Sequence, residues 1–102
     1  MLIYEVNVDV DAEIHAAYLA WLRPHIDEIL ALPGFTGAQM FEVTEPAPSE
    51  GQRSLCVQYR LVDAAALDAY LREHAPRLRA DGVARFGTRF RAQRRVMQTL
   101  ER

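Results

Sequence analysis

Trp21 and His25 stand four residues apart, with Pro24 between them, in a stretch whose apolar residues recur at helical spacing. That spacing puts an indole and an imidazole on one helix face. Such a pair can line a pocket in which the imidazole moves a proton. It can equally be a packed pair, with the ring stacked on Trp21 and one nitrogen satisfied by a nearby carbonyl. Pro24 removes a backbone hydrogen bond to Ala20, which costs about 3 kcal/mol in an ordinary helix and predicts a kink. A second constellation is Glu5, Asn7, Gln58 and Arg60, on the polar faces of two alternating segments. If that face is buried, these groups must hydrogen-bond one another, with Glu5 and Arg60 able to form a bidentate pair. Left open, they can bind a polar ligand. In an enzymatic reading, Glu5 or His25 is the base that takes a proton from an acidic phenol or enol before oxygen attacks the carbanion. The candidate catalytic residues are therefore His25 and Glu5, and the candidate ligand-binding residues are Asn7, Trp21, His25, Gln58 and Arg60.

Other chemistries find no support. His15, His25 and His74 show no metal-ligand spacing with one another or with the single cysteine, Cys56, so no metal is expected. There is no Gly-rich phosphate loop and no Gly-x-Ser-x-Gly elbow. A lone cysteine excludes an internal disulfide and reads as a small core residue in a reducing cytoplasm. Tyr4, Tyr18, Tyr59 and Tyr70 supply aromatic walls.

Charge is uneven along the 102 residues. The net charge is −2, but residues 1–50 carry −8 and residues 77–102 carry +6. All twelve basic residues are Arg. The Arg-rich end could meet nucleic acid. Against that, Leu55-Cys56-Val57-Gln58-Tyr59-Arg60 lacks the paired stacking aromatics of RNA-binding βαββαβ domains. Pairing of Glu5, Asn7 and Asp9 with Arg89, Arg91 and Arg95 on an adjacent strand accounts for the asymmetry without a ligand.

These residues need elements to position them. Leu2 to Val10 alternates as a strand. Asp11 is placed to cap a helix running through Leu32, where Pro33-Gly34 ends it. Phe35 to Val43 predicts a second strand, with Phe35, Gly37, Gln39 and Phe41 on one side and Ala38 and Met40 on the other. The Pro-rich stretch 45–51 is a hairpin loop, and Leu55 to Leu61 is a third strand. Asp63 caps a second helix, Pro76 suits the first turn of a further helical piece, and Gly87 closes it. Thr88 to Gln98 is a fourth strand, with Phe90, Ala92 and Val96 on one side and Arg89, Arg91, Gln93 and Arg95 on the other. The result is one α+β domain over 1–102, ferredoxin-like βαββαβ, with a four-stranded antiparallel sheet in the order 4-1-3-2 and its helices on one face. The opposite face, expected to carry Ile3, Met40, Cys56 and Met97, is a candidate homodimer surface. No apolar run approaches the ~18 residues of a membrane span, and no basic-then-apolar leader is apparent at the N-terminus.

Leu2-Ile3-Tyr4-Glu5-Val6-Asn7, Trp21-Leu22-Arg23-Pro24-His25-Ile26, Leu32-Pro33-Gly34-Phe35 and Ala80-Asp81-Gly82-Val83-Ala84-Arg85-Phe86-Gly87 together resemble a bacterial family of domains of unknown function. That family belongs to the dimeric α/β-barrel superfamily, also called antibiotic-biosynthesis-monooxygenase-like. The resemblance implies a two-fold homodimer whose sheets form a barrel. Its relatives include cofactor-free monooxygenases, haem-degrading enzymes and non-catalytic ligand-binding domains. Haem-degrading relatives use an Asn on the first strand, which Asn7 matches, with a Trp and a His on the second helix. Here that helix carries Tyr70 and an earlier His74, so no cofactor is expected. Two functions stay open: a non-catalytic dimeric module binding a small molecule or a protein, or a cofactor-independent monooxygenase or isomerase acting on an aromatic or polyketide-like substrate.

Overall fold

Alternation in β1 (Leu2–Asp11) sends Tyr4, Val6, Val8 and Val10 to one side and Ile3, Glu5, Asn7 and Asp9 to the other. The computed structural model describes residues 1–102. A 3-10 turn (Ala12–Ile14) leads into α1 (His15–Leu30), followed by β2 (Phe35–Glu42), β3 (Gln52–Leu61), α2 (Ala64–Glu73), α3 (Ala75–Phe86) and β4 (Phe90–Gln98). The sheet order is β2-β3-β1-β4 with every neighbour antiparallel, which is the expected order read from the other edge. β1 pairs along its whole length with β3, from Leu2↔Leu61 to Asp11↔Gln52. On its other side it pairs with β4, from Leu2↔Gln98 to Val10↔Phe90.

The helices pack on the face of Tyr4, Val8 and Val10. Tyr18, Leu22, Ile26 and Ile29 of α1, Leu67 and Tyr70 of α2 and Leu78 of α3 join Leu55, Val57, Tyr59 and Leu61 of β3 in one buried cluster. Gly82 lets α3 approach α1 closely, since an added Cβ would sit 3.0 Å from Trp21 Cη2.

Two local expectations need correction. Asp11 makes no side-chain cap; its carboxylate accepts from Arg89 and Gln52, so the chain enters α1 through a 3-10 turn instead. Asp63 does cap α2, accepting from the Ala66 N–H at 2.9 Å, and Gly87 ends α3 at φ 58°. α1 runs unbroken through Pro24, with Pro24 and Ala20 both on its exposed flank where water can meet the released carbonyl. The second correction concerns β2. An irregularity between Phe35 and Gly37 re-phases the strand, so that Ala38 opposes Tyr59 and Met40 opposes Val57. Phe35 therefore packs on Tyr59 and Tyr70 among the helices. Met40 is thus on the helix side rather than the open face, and Phe41, opposite Cys56, takes the open-face place. Strict alternation cannot register an extra residue.

Gly34, at φ 88°, makes the turn from α1 into β2, and its carbonyl accepts from the Val62 N–H at 2.9 Å. A Cβ there would overlap the Cβ of Ala66 at the start of α2. Gly34→Ala combines a left-handed backbone penalty with overpacking and is expected to cost about 2–3 kcal/mol. Urea unfolding measures this; a loss under about 1 kcal/mol would mean that the turn relaxes freely.

Candidate functional site

The helix-facing surface of the sheet is not fully covered. Between α1, α3 and strands β1, β3 and β4 lies a cavity of about 320 Å³, a size suited to a small organic ligand. Its floor is Val6, Val8, Val57 and Ala92, and its walls are Tyr18, Trp21, His25 and Phe90. Arg79, Val83, Gly87 and Arg94 also line it and are exposed, which makes them its rim.

The helical i,i+4 spacing brings Trp21 and His25 together in this cavity, stacked with ring centroids 4.4 Å apart and planes 26° from parallel. The indole N–H donates to Asp81 Oδ2 at 2.9 Å, tying α1 to α3 and holding the Asp81 carboxyl below its usual range. Tyr18 packs against Trp21, Phe86 and Phe90 at centroid distances of 5.3–5.5 Å. Burial lowers the His25 pKa below the ordinary 6.5, outweighing the opposing pull of Glu28 and Asp81. The ring is therefore neutral at pH 7. No protein group hydrogen-bonds its nitrogens, so the expected alternative of a carbonyl-satisfied His does not hold, while the stacking does. Burial pushes the hydroxyls of Tyr18 and Tyr70 up to about 12, so both stay protonated donors. Tyr59 is shifted upward by the same cause.

Glu5, Asn7 and Gln58 also come together, but on the other face of the sheet. Glu5 is only 3 % exposed. It accepts from Gln58 Nε2 at 2.9 Å and from Asn7 Nδ2 at 2.8 Å, and forms an ion pair with Arg95 Nε. The Arg95 bond above all, reinforced by Gln58 and Asn7, outweighs desolvation and brings the Glu5 pKa down to about 2. Arg95, expected near Glu5 from the pairing of the first and fourth strands, is thus the partner rather than Arg60, because β4 places it directly opposite Glu5. Arg60 lies opposite Ile3 and Gly37, with its guanidinium across Gly37, where a Cβ would collide with it. Of the other expected pairs, Arg89 instead reaches Asp11 and Glu13, while Asp9 accepts from Ser54. Asn7 also lines a second cavity of about 300 Å³ under Pro46–Ser49. Cys56 is buried beside Glu5 and its thiol is pushed up to about 11, chiefly by burial, which leaves it unreactive at neutral pH.

Arg79 and Arg94 had no role in the sequence-level reading, yet both line the helix-side cavity. Parity marks Arg94: it shares a strand face with Ala92 and Val96, whereas its neighbour Arg95 shares one with Gln93 and Met97. Nothing comparable in the sequence marks Arg79, whose Nη2 donates to the Tyr4 hydroxyl at 2.9 Å.

The match to known proteins bears on this geometry. The model of a family described as a domain of unknown function, DUF4286, matches residues 1–100. The chain belongs to this family. No curated protein matches it. Among solved structures, this DUF4286 member is similar to an antibiotic biosynthesis monooxygenase, with 21 % identity, a TM-score of 0.71, and coverage of 99 % of this chain and 100 % of that one. It is also similar to a Mycobacterium tuberculosis protein, Rv0793, at 20 % identity and TM-score 0.67 over 100 % and 98 % of the two chains. A variant of SnoaB, a cofactor-independent oxygenase from Streptomyces nogalater, matches at 10 % identity and TM-score 0.71 over 99 % and 95 %. At these identities the likeness establishes the ferredoxin-like fold of the DUF4286 chain and leaves its activity to the site itself. No helix of the protein is long and apolar enough to cross a membrane.

The Glu5 network predicts an acid-sensitive stability. Its folded pKa lies below its unfolded value, so its contribution is full above about pH 4.5 and is lost as pH falls toward about 2. The shift alone would correspond to about 3 kcal/mol, but water around the exposed Arg95 reduces this to about 1–2 kcal/mol. Glu5→Gln should be less stable than wild type by that amount at pH 7, with the gap narrowing below about pH 4.5 and closing near pH 2. Urea midpoints across pH measure it, and a pH-independent gap would rule the network out as its source.

Proposed function

We propose that this protein binds a planar aromatic small molecule in the cavity between α1, α3 and the sheet. The observation that carries the reading is the cavity itself: about 320 Å³, aromatic-walled, and left open by the side chains around it. A flat ring system suits the slot beside the Trp21–His25 stack, where face and edge contacts with Tyr18 and Phe90 add to simple burial. The sequence-level alternative of a protein ligand is less well supported, because the cavity is concave and small. Asn7, Gln58 and Arg60, on the far side of the sheet, are not assigned to this ligand.

The open face is the proposed homodimer surface. It carries Ile3, Cys56, Phe41 and Met97, with Phe41 41 % exposed, around the Glu5 network. Face-to-face packing of two such sheets would cover it. A single buried cysteine, with no second one to pair with, is compatible with a cytoplasmic location.

Trp21 is the sole tryptophan, so its fluorescence reports on the cavity. Titration with the neutral aromatic N-phenyl-1-naphthylamine should quench it saturably. Ala92→Phe, which fills the floor, should weaken binding by about tenfold or more. No quenching, or equal affinity in the filled variant, overturns the reading.

A second reading is favoured by one observation, the neutral and unpartnered imidazole of His25. In this reading the cavity performs cofactor-independent oxygenation. His25 takes a proton from the acidified methylene of an aromatic substrate, and the carbanion reacts with dioxygen. The carbon loses two hydrogens and gains one oxygen atom, while the other leaves as water. Glu5 takes no part: it faces away from the cavity, and a carboxylate of pKa about 2 with three donors on it is a poor base. His25→Phe should lower oxygen uptake with such a substrate by about 10²- to 10⁴-fold while leaving aromatic binding within about threefold. Equal loss of both would reduce His25 to a wall of the cavity.

A further inference from the structure

We propose that the cavity selects an anionic ligand: a planar aromatic whose carboxylate, sulfonate or phenolate oxygen is held by Arg94, with Arg79 at the Tyr4 side of the site. The proposal rests on the reading of the cavity as an aromatic-binding site and names the class of molecule it takes.

Charge bookkeeping around the cavity carries the argument. Its lining contains two guanidinium groups and no Asp or Glu. The acids nearest His25 are already engaged, Glu28 by Arg77 at 2.9 Å and Asp81 by the Trp21 indole and Arg85. Elsewhere in the Arg-rich C-terminal segment Arg77, Arg85, Arg89 and Arg95 each form an ion pair, while Arg91 and Arg102, which form none, lie outside the cavity lining. Arg94 forms none, although it projects from the middle of β4, opposite Val6, among apolar neighbours. Arg79 has only the neutral Tyr4 hydroxyl.

Arg94 stands at the rim, but its charge reaches across the cavity. Its charge acts on Tyr18, His25, Tyr59 and Tyr70, the polar groups around the cavity, favouring loss of a proton from each. A guanidinium in such a place has donors free to form paired bonds to a carboxylate or sulfonate. The protonated hydroxyl of Tyr18 offers a further donor at the wall. With no acid in the lining to compete, an anionic oxygen on the ligand is the complementary group. A cationic ligand would meet two like charges.

Two probes that share a skeleton separate charge from shape: 8-anilinonaphthalene-1-sulfonate and the neutral N-phenyl-1-naphthylamine. Near-ultraviolet circular dichroism confirms that each variant remains folded, which the exposure of Arg94 favours. The sulfonate should bind wild type about tenfold or more tightly than the neutral probe. Arg94→Met should bring the ratio within about threefold, and Arg94→Lys should keep most of the preference. Arg79→Met should reduce it in part. Equal wild-type affinities, or a ratio unchanged in Arg94→Met, overturn the anion selectivity. If the neutral probe still responds to Ala92→Phe, the aromatic site survives that failure. If neither probe responds to Ala92→Phe, the site and its selectivity fall together.

Discussion

Everything in this fold depends on β1 being paired on both sides. Ten residues are in register with β3 and nine with β4, so the strand cannot slip by one position without exchanging its two faces. Such a slip would drive Glu5 in among Tyr59, Tyr70 and Leu78 and push Tyr4 and Val8 out. The cost of a bare carboxylate in that core far exceeds any single contact in the molecule. The register in turn sets which side chains of β4 face the helices and which meet the Glu5 network.

The two faces then follow different rules. On the open face, polarity is satisfied internally: Gln58, Asn7 and Arg95 converge on one buried carboxylate. A network with its acceptors filled orders the sheet but has little capacity left for chemistry. On the helix face, the packing is apolar but incomplete. Ala92 and Gly82 are too small to fill the space between β4 and the two helices that cross it, and α1 and α3 are held at their spacing by the Trp21–Asp81 bond. A cavity persists there because its walls are large aromatic rings that support one another. It is the place where a neutral imidazole and two carboxylate-free guanidinium groups meet.

The similarity of this DUF4286 chain to monooxygenase structures fits this division of labour without choosing a reaction. A ferredoxin-like scaffold leaves a space between helix layer and sheet, and different side chains can equip it for binding or for turnover. In this chain that space combines no acid, one neutral base, and cations at the rim.

The sequence alone was enough for features that arise within one segment. Alternation in Leu2–Val10 and Leu55–Leu61, the cap at Asp63 and the turns at Gly34 and Gly87 are written in neighbouring residues, and they lead directly to the βαββαβ order and the antiparallel sheet. The pairing of Trp21 with His25 needed only the pitch of a helix. Three decisions belonged to the tertiary structure. Arg60 and the strand-four residues Arg89, Arg91 and Arg95 were all open partners for Glu5, and Arg95 was selected because the residue across a strand is set by the relative register of two distant segments, which neither contains. Met40 and Phe41 exchanged faces because an irregularity after Phe35 shifts the phase of every later residue in β2, and alternation carries no mark of where a residue is added. Arg79 joined Arg94 at the rim of the cavity because the approach of α3 to the sheet, not any local pattern, determines which helix residues overlook the same space.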